Sequence, residues 1–355
     1  MILLGSTGSI GVNTLKIAKQ FKLNVEVLVA GKNIDLLNKQ IKIFKPSMVV
    51  IANKSDIPRV NFSKVTFGEE AILEVIAKAK SKLVVNALVG FLGLKPSLEA
   101  IKNGKKLALA NKESLVVAGK FLDTKKIVPI DSEHFGLWYL WQEKAISSMI
   151  ITASGGAFRD LDLKDLKNVS VEDALRHPSW EMGSKITIDS ATMVNKVFEL
   201  LEASWLFDIS KIDAIIERKS LVHAFVNFLD GSTTAHLARA NMCLPIAYAL
   251  LEKIDMPILE PLDLLEFGAL KFEEISSKRY AIWEYKDKIL QNKDLGLVLN
   301  AANEVAVAKF LNKEIPFLDI SKICIRALEK FENIKLNSLE EVFSKNDEVR
   351  SFCAT

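Results

Sequence analysis

The sequence has few cysteines, no long apolar run and little net charge. Its three cysteines, Cys243, Cys324 and Cys353, are widely separated and form no Cys-x-x-Cys pair. A disulfide scaffold is therefore not expected, and the chain is predicted to be reduced and intracellular. No apolar stretch approaches the roughly 18 residues that span a bilayer, and the apolar start at residues 1–4 is too short for a signal peptide. We expect a cytoplasmic protein.

Neither sign of charge dominates the chain. The formal net charge of +3 is too small to indicate a nucleic acid or an anionic membrane as a partner. Hydrophobic residues make up 49% and charged residues 26% of the 355 residues, a balance typical of globular proteins. A chain of this length is expected to form two or three domains with ample core.

The first 130 residues alternate short β-rich runs with amphipathic segments. The runs lie at 2–4, 25–30, 48–51, 65–67, 83–86, 106–109 and 127–130, and the helical segments at 10–21, 35–44, 69–80 and 96–102. Strands that alternate with helices indicate a parallel sheet covered on both faces. The sequence therefore predicts an α/β fold with a Rossmann-like domain over residues 1–130.

The pattern changes after residue 130. A β-rich run at 148–153 precedes a glycine pair, and runs at 221–229 and 233–239 flank Asp230-Gly231, a strong hairpin signal. Residues 131–255 are predicted to form a central α+β domain with catalytic and connective roles. Residues 256–270, which hold two prolines, are predicted to be a linker. Helical periodicity at 296–311 and 321–331 predicts a C-terminal helical bundle over 271–355.

A glycine-rich turn, Gly5-x-x-Gly8-x-x-Gly11, separates the first strand from the first helix. Such glycines allow a tight turn, and helix-start N–H groups can hold a pyrophosphate. A plain strand–helix turn would show the same glycines, but the alternating strands and helices around it favour the dinucleotide site. No Gly-Lys-Ser/Thr is present, which removes the P-loop interpretation.

The end of the second strand indicates which cofactor binds. An NAD binder usually places Asp or Glu about 20 residues past the glycines, whereas this chain has Gly31-Lys32-Asn33 there. Lys32 would attract a 2′-phosphate, which favours NADPH over NADH. The alternative is that Lys32 is only a solvated loop lysine.

Two carboxylates, Asp131 and Glu133, follow the run at 127–130. In an extended chain these positions lie on the same side, so both could bind one hard cation. Alternatively, Asp131 or Ser132 caps a helix predicted at 135–142. The residues alone leave both interpretations open.

The segment from Asp189 to Glu199 combines donors for a phosphate with a further carboxylate. A helix is predicted to begin here, with Asp189 or Ser190 as its N-cap. Asn195 and Glu199 are four residues apart and share a face, with Lys196 beside it. Ser190, Asn195 and Lys196 suit a phosphate, and Glu199 could be a third metal carboxylate. The alternative is a capped amphipathic helix with a surface Lys196–Glu199 pair.

One histidine lies in a segment that could act as a lid. His177 precedes Pro178, in a stretch that also holds Trp180, Met182 and Gly183. An apolar, glycine-hinged loop of this kind could close over a substrate and exclude water. The other histidines have no partner at metal-ligand spacing and are predicted to be core or surface residues. They are His134, His223 and His236.

Seven motifs follow one another along nearly the whole chain. They are GSTGSIG at 5–11, LANKESL at 109–115, DSEH at 131–134, SGG at 154–156, HPSWEMG at 177–183, DSATM at 189–193 and NKVFE at 195–199. LNAANE at 299–304 follows in the predicted helical end. In kind and order they closely resemble the motifs of the 1-deoxy-D-xylulose 5-phosphate reductoisomerase family.

The resemblance implies a homodimeric NADP-dependent oxidoreductase, a ketol-acid-type isomeroreductase acting on a sugar phosphate. Such an enzyme makes 2-C-methyl-D-erythritol 4-phosphate in non-mevalonate isoprenoid synthesis, using NADPH and Mg²⁺, Mn²⁺ or Co²⁺. Three carboxylates around a hard ion fit Mg²⁺ or Mn²⁺ better than zinc. The metal is expected to act as a Lewis acid while the carbon skeleton rearranges to an aldehyde, which NADPH then reduces.

The resemblance also implies a role for each matched position. The NADPH contacts would be Thr7, Gly8, Ser9, Ile10, Gly31, Lys32, Asn33, Asn111, Glu113 and Gly183. The metal ligands would be Asp131, Glu133 and Glu199. The catalytic and substrate residues would be Lys112, Ser132, Glu133, Ser154, His177, Trp180, Ser190, Asn195, Lys196 and Glu199. Of these, Ser154, Ser190, Asn195 and Lys196 would lie near the phosphate, and Trp180 in the lid.

One segment departs from the family pattern. The family commonly has His-Pro-Gln-Ser before the hairpin strand, whereas this chain has Glu217-Arg218-Lys219-Ser220. No role is predicted for these four residues.

Two other functions stay open at this point. A metal-independent NADP dehydrogenase of the semialdehyde type would need a nucleophilic cysteine, and no base motif accompanies Cys243. A non-catalytic, NADPH-sensing regulator on the same fold would need neither three convergent carboxylates nor a lid that carries tryptophan.

Overall fold

The computed structural model describes residues 1–141 and 144–355. They form two compact units. The first comprises Met1–Ser114, Leu122–Asp131 and Asn241–Glu260, and the second comprises Leu115–Phe121, Ser132–Ala240 and Pro261–Thr355. The domain boundaries expected after residues 130, 255 and 270 stay predictions.

The described residues form the following strands and helices in chain order. The first are β1 (Ile2–Leu4), α1 (Ser9–Gln20), β2 (Val27–Ala30), α2 (Ile34–Phe44), β3 (Met48–Ile51), β4 (Val65–Phe67), α3 (Gly68–Lys78), β5 (Leu83–Asn86), α4 (Leu94–Lys102), β6 (Lys106–Leu109), α5 (Lys112–Ala118) and β7 (Ile127–Pro129). Next come α6 (Ser132–Leu140), β8 (Ile146–Ala153), α7 (Val171–Ala174), α8 (Ser184–Thr192), α9 (Val194–Leu206), β9 (Ile212–Ile216), β10 (Val222–Phe228), β11 (Thr233–Leu237) and α10 (Cys243–Leu250). The last are α11 (Leu264–Phe267), α12 (Lys286–Gln291), α13 (Leu295–Leu311), α14 (Phe317–Lys330) and α15 (Leu339–Ala354).

The first unit is built on a parallel sheet of order β4-β3-β2-β1-β5-β6-β7. β1 and β2 are entirely buried, which explains why their sequences are continuously apolar rather than alternating. The strand order reverses between β1 and β5, and doubly wound sheets bind ligands at the carboxyl ends of the strands at this point. The Rossmann-like sheet is confirmed, and the glycine-rich turn follows β1 at the switch point.

A late segment of the chain completes the core of the first unit. Cys243, Ile246 and Ala247 of α10 are buried in the same apolar cluster as Leu15 and Ile17 of α1. α10 packs against α1 and β7. The core of the first unit therefore includes α10, which follows the strands of the second unit in sequence.

The second unit carries a mixed sheet of order β11-β10-β8-β9. β10 is antiparallel to both of its neighbours, and β8 is parallel to β9. The hairpin predicted at Asp230-Gly231 is confirmed, because β10 and β11 pair around it. α6 packs on β10 and β11, and the helix predicted at 135–142 ends at a residue outside the described ranges.

Helices dominate the end of the chain, as predicted. α13 packs against both α14 and α15. Before them, Ile216 and Glu273 form an isolated antiparallel bridge, so the segment after residue 271 begins with extended backbone rather than a helix. Within the described residues, we find no helix that is both long and apolar enough to cross a membrane.

The prediction that a helix begins at Asp189 or Ser190 was wrong. α8 begins at Ser184 with Gly183 as its N-cap, so Asp189 and Ser190 lie inside the helix. Met193 has a φ of 69°, in the left-handed region, and separates α8 from α9. Methionine rarely adopts this conformation, so the sequence pattern did not reveal the break.

Candidate active site

The glycine-rich turn packs too closely to admit a side chain at its last glycine. A Cβ at Gly11 would lie 2.2 Å from the carbonyl oxygen of Gly5. α1 begins at Ser9, and its N-cap, Gly8, has no side chain that could occupy the first amides. Such a helix N-terminus suits an anionic group such as a pyrophosphate. Gly8 and Ser9 are exposed, while Thr7 and Ile10 are partly buried.

The segment after β2 is exposed at Gly31, Lys32 and Asn33. Asn33 caps α2, because its Oδ1 accepts the N–H of Leu36 at 3.1 Å. Lys32 lies beside this cap at the carboxyl end of β2. This place fits the predicted contact with a 2′-phosphate, which stays a prediction.

Asn111 has a structural task that the sequence did not reveal. Its amide nitrogen donates to the carbonyls of Leu88 and Gly90 at 3.0 and 2.8 Å, and to Glu113 Oε2 at 3.0 Å. Its Oδ1 accepts the backbone N–H of Ser114 at 3.1 Å and also its hydroxyl. These bonds tie together the loops that follow β5 and β6. The cofactor contacts expected of Asn111 and Glu113 stay predictions.

Three carboxylates converge where α6 begins. Asp131, Glu133 and Glu199 each offer an oxygen, and these oxygens lie within 4.8 Å of one another. Asp131 directly precedes α6, Glu133 lies in its first turn, and Glu199 lies on α9. Glu199 is only 1% exposed. The three predicted metal ligands are thus brought together.

The charges around these carboxylates fit a divalent cation. Lys112 Nζ lies 3.2 Å from Asp131 Oδ2. Lys196 Nζ bonds to Glu199 and lies 3.7 Å from Glu133 Oε1. Three carboxylates at this spacing repel and favour proton uptake unless they are compensated. An oxygen-only donor set of this kind suits Mg²⁺ or Mn²⁺.

Two histidines border the carboxylates. His134 is fully buried, and its Nε2 lies 2.9 Å from the carbonyl oxygen of Glu199, which confirms it as a core residue. His223 Nδ1 lies 3.9 Å from Glu133 Oε1, and its ring centroid lies 6.3 Å from that of Trp180. The sequence did not predict that His223 lies beside Glu133 and Trp180, because a single histidine within a strand has no spacing pattern.

The turn after β8 presses against α8. A Cβ at Gly156 would lie 2.6 Å from the carbonyl oxygen of Ser190 and 2.7 Å from Cα of Ala191. Only glycine permits this approach. Ser154 and Ser190, both predicted phosphate residues, therefore lie on segments in direct contact.

His177 and Ser154 form a hydrogen-bonded pair whose direction is fixed. His177 Nδ1 accepts the N–H groups of Ser179 and Trp180 at 3.1 and 2.9 Å. The proton of the neutral ring is therefore on Nε2, which donates to Ser154 Oγ at 2.9 Å. Ser154 Oγ also accepts the N–H of Gly156 at 3.1 Å. With two bonds accepted, the Ser154 hydroxyl can donate its own proton to an anionic ligand.

Burial, and secondly the charge of Arg159, lowers the pKa of His177 to about 4. We expect an NMR titration, with the resonance assigned by a His177→Gln variant, to give a pKa near this value. The unfolded chain should titrate near its ordinary pKa of about 6.5. The contribution of His177 to the free energy of unfolding is therefore complete above pH 6.5 and is lost as the pH falls towards 4. A folded-state pKa near 6.5 would contradict this arrangement.

The predicted phosphate residues on α9 also bond to Glu199, one of the predicted metal ligands. Asn195 Nδ2 donates to Glu199 Oε1 at 2.5 Å, and Lys196 bonds to the other oxygen. Asp189, just before Ser190, is buried and pairs with Lys185 at 2.7 Å. α9 thus links the carboxylates to the predicted phosphate site.

Cys243 does not fit the role of a nucleophile. It is buried at the start of α10, and burial raises the pKa of its thiol. Its Sγ donates to Asn13 Oδ1 at 3.6 Å. Reactive cysteines have a lowered pKa, so a dehydrogenase with a thiol nucleophile is not supported.

A glycine-rich turn at a sheet switch point and a triad of carboxylates that could hold a hard cation are typical of a metal-assisted, dinucleotide-dependent oxidoreductase. The model of 1-deoxy-D-xylulose 5-phosphate reductoisomerase matches residues 1–119. The models of the C-terminal domain of that enzyme match residues 127–207 and 237–352. The chain belongs to the 1-deoxy-D-xylulose 5-phosphate reductoisomerase family.

Individual relatives agree over the full length. The chain is 55% identical to the reductoisomerase of Nautilia profundicola, with 99% of both chains covered. It is 54% identical to that of Helicobacter pylori, with 99% of this chain and 98% of that one covered. A solved DOX-P reductoisomerase in complex with NADPH, fosmidomycin and magnesium is 32% identical with a TM-score of 0.93, covering 99% of this chain and 96% of that one. The Zymomonas mobilis enzyme in complex with NADPH is 34% identical with a TM-score of 0.88, covering 99% and 97%.

Proposed function

We propose that this chain catalyses the NADPH- and divalent-metal-dependent rearrangement and reduction of 1-deoxy-D-xylulose 5-phosphate. The product would be 2-C-methyl-D-erythritol 4-phosphate, for non-mevalonate isoprenoid synthesis. The observation that carries the proposal is the convergence of Asp131, Glu133 and Glu199 within 4.8 Å, in a chain of this family. A regulator that only senses NADPH would have no need of this triad.

When bound, a divalent ion would polarise neighbouring substrate oxygens and NADPH would supply a hydride. We assign the metal to Asp131, Glu133 and Glu199. Lys112 orients Asp131 through their ion pair at 3.2 Å. Ser132 Oγ donates to Glu133 Oε2 at 2.8 Å and orients that carboxylate. Both residues border the triad, where substrate oxygens would bind.

We assign the substrate phosphate to Ser154, Ser190, Asn195 and Lys196. Ser154 would donate its hydroxyl proton to the phosphate, because its Oγ already accepts hydrogen bonds from His177 and from the N–H of Gly156. A phosphate remote from the reacting carbons supplies binding energy that orients the substrate. Because Asn195 and Lys196 also bond Glu199, phosphate binding and metal binding should depend on each other.

We assign NADPH binding to residues of the first unit together with Gly183, and the lid to the segment that contains Trp180. The NADPH residues are Thr7, Gly8, Ser9, Ile10, Gly31, Lys32, Asn33, Asn111, Glu113 and Gly183. The lid is the segment 177–183, in which His177 accepts two backbone N–H groups and Trp180 lies partly buried near His223. Closure of this segment would exclude water.

Replacing Trp180 with Ala tests the lid. We expect kcat/KM for the sugar phosphate to fall by about 10- to 150-fold, because one large ring contributes about 1.5–3 kcal/mol when buried. The dissociation constant of NADPH should stay within about twofold. Leu175→Ala, which removes an exposed side chain just before the segment, serves as the control. Unchanged steady-state kinetics of Trp180→Ala would show that the segment is not a lid.

We further propose that the protein is a cytoplasmic homodimer whose functional divisions are residues 1–130, 131–255 and 271–355. Trp138 and Tyr139 on α6 are 45% and 53% exposed, an uncommon exposure for aromatic side chains and one that suits an interface. The described cysteines are free and buried, as in a reducing compartment. Light scattering should give twice the 39.5 kDa chain mass.

NADPH oxidation tests the proposed function. The purified chain should oxidise NADPH only when both 1-deoxy-D-xylulose 5-phosphate and Mg²⁺, Mn²⁺ or Co²⁺ are added, and chelation should stop the reaction. Undiminished turnover in EDTA would favour a metal-independent dehydrogenase. Tight NADPH binding without turnover under all these conditions would favour the sensing regulator.

A further inference from the structure

The turn Ser154-Gly155-Gly156 is held from behind by two side chains. Arg159 Nη1 donates to the carbonyl oxygen of Ser154 at 2.8 Å. The hydroxyl of Tyr280, which is only 4% exposed, donates to the carbonyl oxygen of Gly155 at 2.8 Å. Both carbonyls of the turn are therefore fixed by donors from elsewhere in the second unit.

Arg159 is itself placed by the segment for which the sequence predicted no role. Its Nη1 also donates to the carbonyl oxygen of Arg218 at 2.7 Å, so one guanidinium nitrogen bridges the two turns. The Arg218 guanidinium pairs with Asp160 and, at 2.8 Å, with Glu273. Both the backbone carbonyl and the side chain of Arg218 are therefore held by partners.

A buried carboxylate shapes this second turn. Glu217 is 1% exposed, and its oxygens accept the N–H groups of Lys219 at 2.9 Å, Leu221 at 2.7 Å and Val222 at 3.2 Å. Ser220 has a φ of 53°, in the left-handed region, and the chain makes a tight turn here. The hydrogen bonds accepted by Glu217 enclose this turn. The backbone N–H of Glu217 donates to the carbonyl of Ala153 at 2.9 Å, directly before Ser154. Glu217 therefore fixes both the turn and its distance from the end of β8.

We propose that Arg159, Tyr280 and Glu217 are positioning residues that set the Ser154 hydroxyl for the substrate's phosphate group. Arg159 and Tyr280 hold the two carbonyls of the Ser154 turn. Glu217 shapes the 217–222 turn that presents the Arg218 carbonyl to Arg159. This segment lies outside the matched family ranges, which end at residue 207 and resume at 237. The inference rests on the proposed function, because it takes Ser154 as a phosphate ligand.

Tyr280→Phe is the sharpest test, since it removes a single oxygen. We expect KM for 1-deoxy-D-xylulose 5-phosphate to rise about 10-fold, as for loss of one hydrogen bond to a buried carbonyl. We expect kcat to change less than about threefold and the NADPH dissociation constant to be unchanged. Tyr285→Phe is the matched control, because that hydroxyl bonds Glu329 on the surface and should leave KM unaltered.

Two further variants follow the chain of contacts. Arg159→Lys keeps the charge but shortens the side chain by one bond, so its nitrogen should not reach the Ser154 and Arg218 carbonyls that Nη1 bridges. Glu217→Gln keeps the size but replaces one accepting oxygen with a donor, so it should raise KM in the same direction. An increase of KM alone in Tyr280→Phe and Arg159→Lys supports the proposal.

Three results would overturn the proposal. They are an unchanged KM in both Tyr280→Phe and Arg159→Lys, an equal fall of kcat and of NADPH affinity in these variants, or the same KM change in Tyr285→Phe. If wild-type protein did not turn over the sugar phosphate at all, the proposed function would fail instead. The two failures are therefore distinguishable.

Discussion

Replacing Glu199 with Gln should lower metal affinity and turnover together. Glutamine keeps the size, but it has a single accepting oxygen for the two donors Asn195 and Lys196, and it removes one of three negative charges from the triad. Because Glu199 is a direct ligand in our assignment, the loss in kcat/KM at limiting Mg²⁺ should exceed the roughly 10- to 100-fold typical of outer-shell changes. High Mn²⁺ should partly restore the rate, because occupancy is what the substitution reduces.

Glu202→Gln is a matched control for this substitution. Glu202 is buried on the same helix, and its Oε2 lies 3.7 Å from His134 Nδ1. The control should leave the concentration of Mg²⁺ at half-maximal rate unchanged. If Glu199→Gln retained the wild-type metal dependence, Glu199 would be only the partner of Lys196 on α9.

Replacing Lys32 with Asp should change which cofactor is used. The exposed ammonium after β2 would be replaced by a carboxylate that repels a 2′-phosphate. A charge-assisted hydrogen bond is worth about 1.5–3 kcal/mol, so kcat/KM for NADPH should fall by about 10- to 150-fold or more. The value for NADH should change little, since NADH has no 2′-phosphate.

Lys39→Asp changes the net charge equally from an exposed position on α2. Steady-state kinetics with both cofactors should be normal for this control. Equal losses with NADPH and NADH in Lys32→Asp would show that Lys32 does not recognise the 2′-phosphate.

The sheet of the first unit was predictable because it depends on local pattern, whereas the full carboxylate triad was expected only from the family resemblance. Apolar runs separated by amphipathic segments predicted the strands of the first unit. The argument from an extended chain for Asp131 and Glu133 was wrong, because β7 ends at Pro129 and Glu133 lies in the first turn of α6. The helical spacing that placed Glu199 beside Asn195 is confirmed on α9. Each of these inferences uses residues within a few positions of one another.

Other features depended on contacts between distant residues. The left-handed Met193 that separates α8 from α9 has no sequence signature. The bonds of Asn111 to the Leu88–Gly90 loop and the ion-pair distance of His223 from Glu133 span long stretches of chain. The hold of Tyr280 on Gly155 joins residues 125 positions apart. Such contacts follow from tertiary packing, which one sequence does not encode as a local pattern.

Direct metal binding tests the central claim that Asp131, Glu133 and Glu199 hold the ion required for turnover. Isothermal titration of Mn²⁺ into the NADPH-bound protein should reveal one site, and Asp131→Asn should weaken it in parallel with activity at limiting Mg²⁺. A residue that only caps α6 would tolerate Asn with little loss. Wild-type Mn²⁺ affinity together with near-normal activity of Asp131→Asn would contradict the three-carboxylate site.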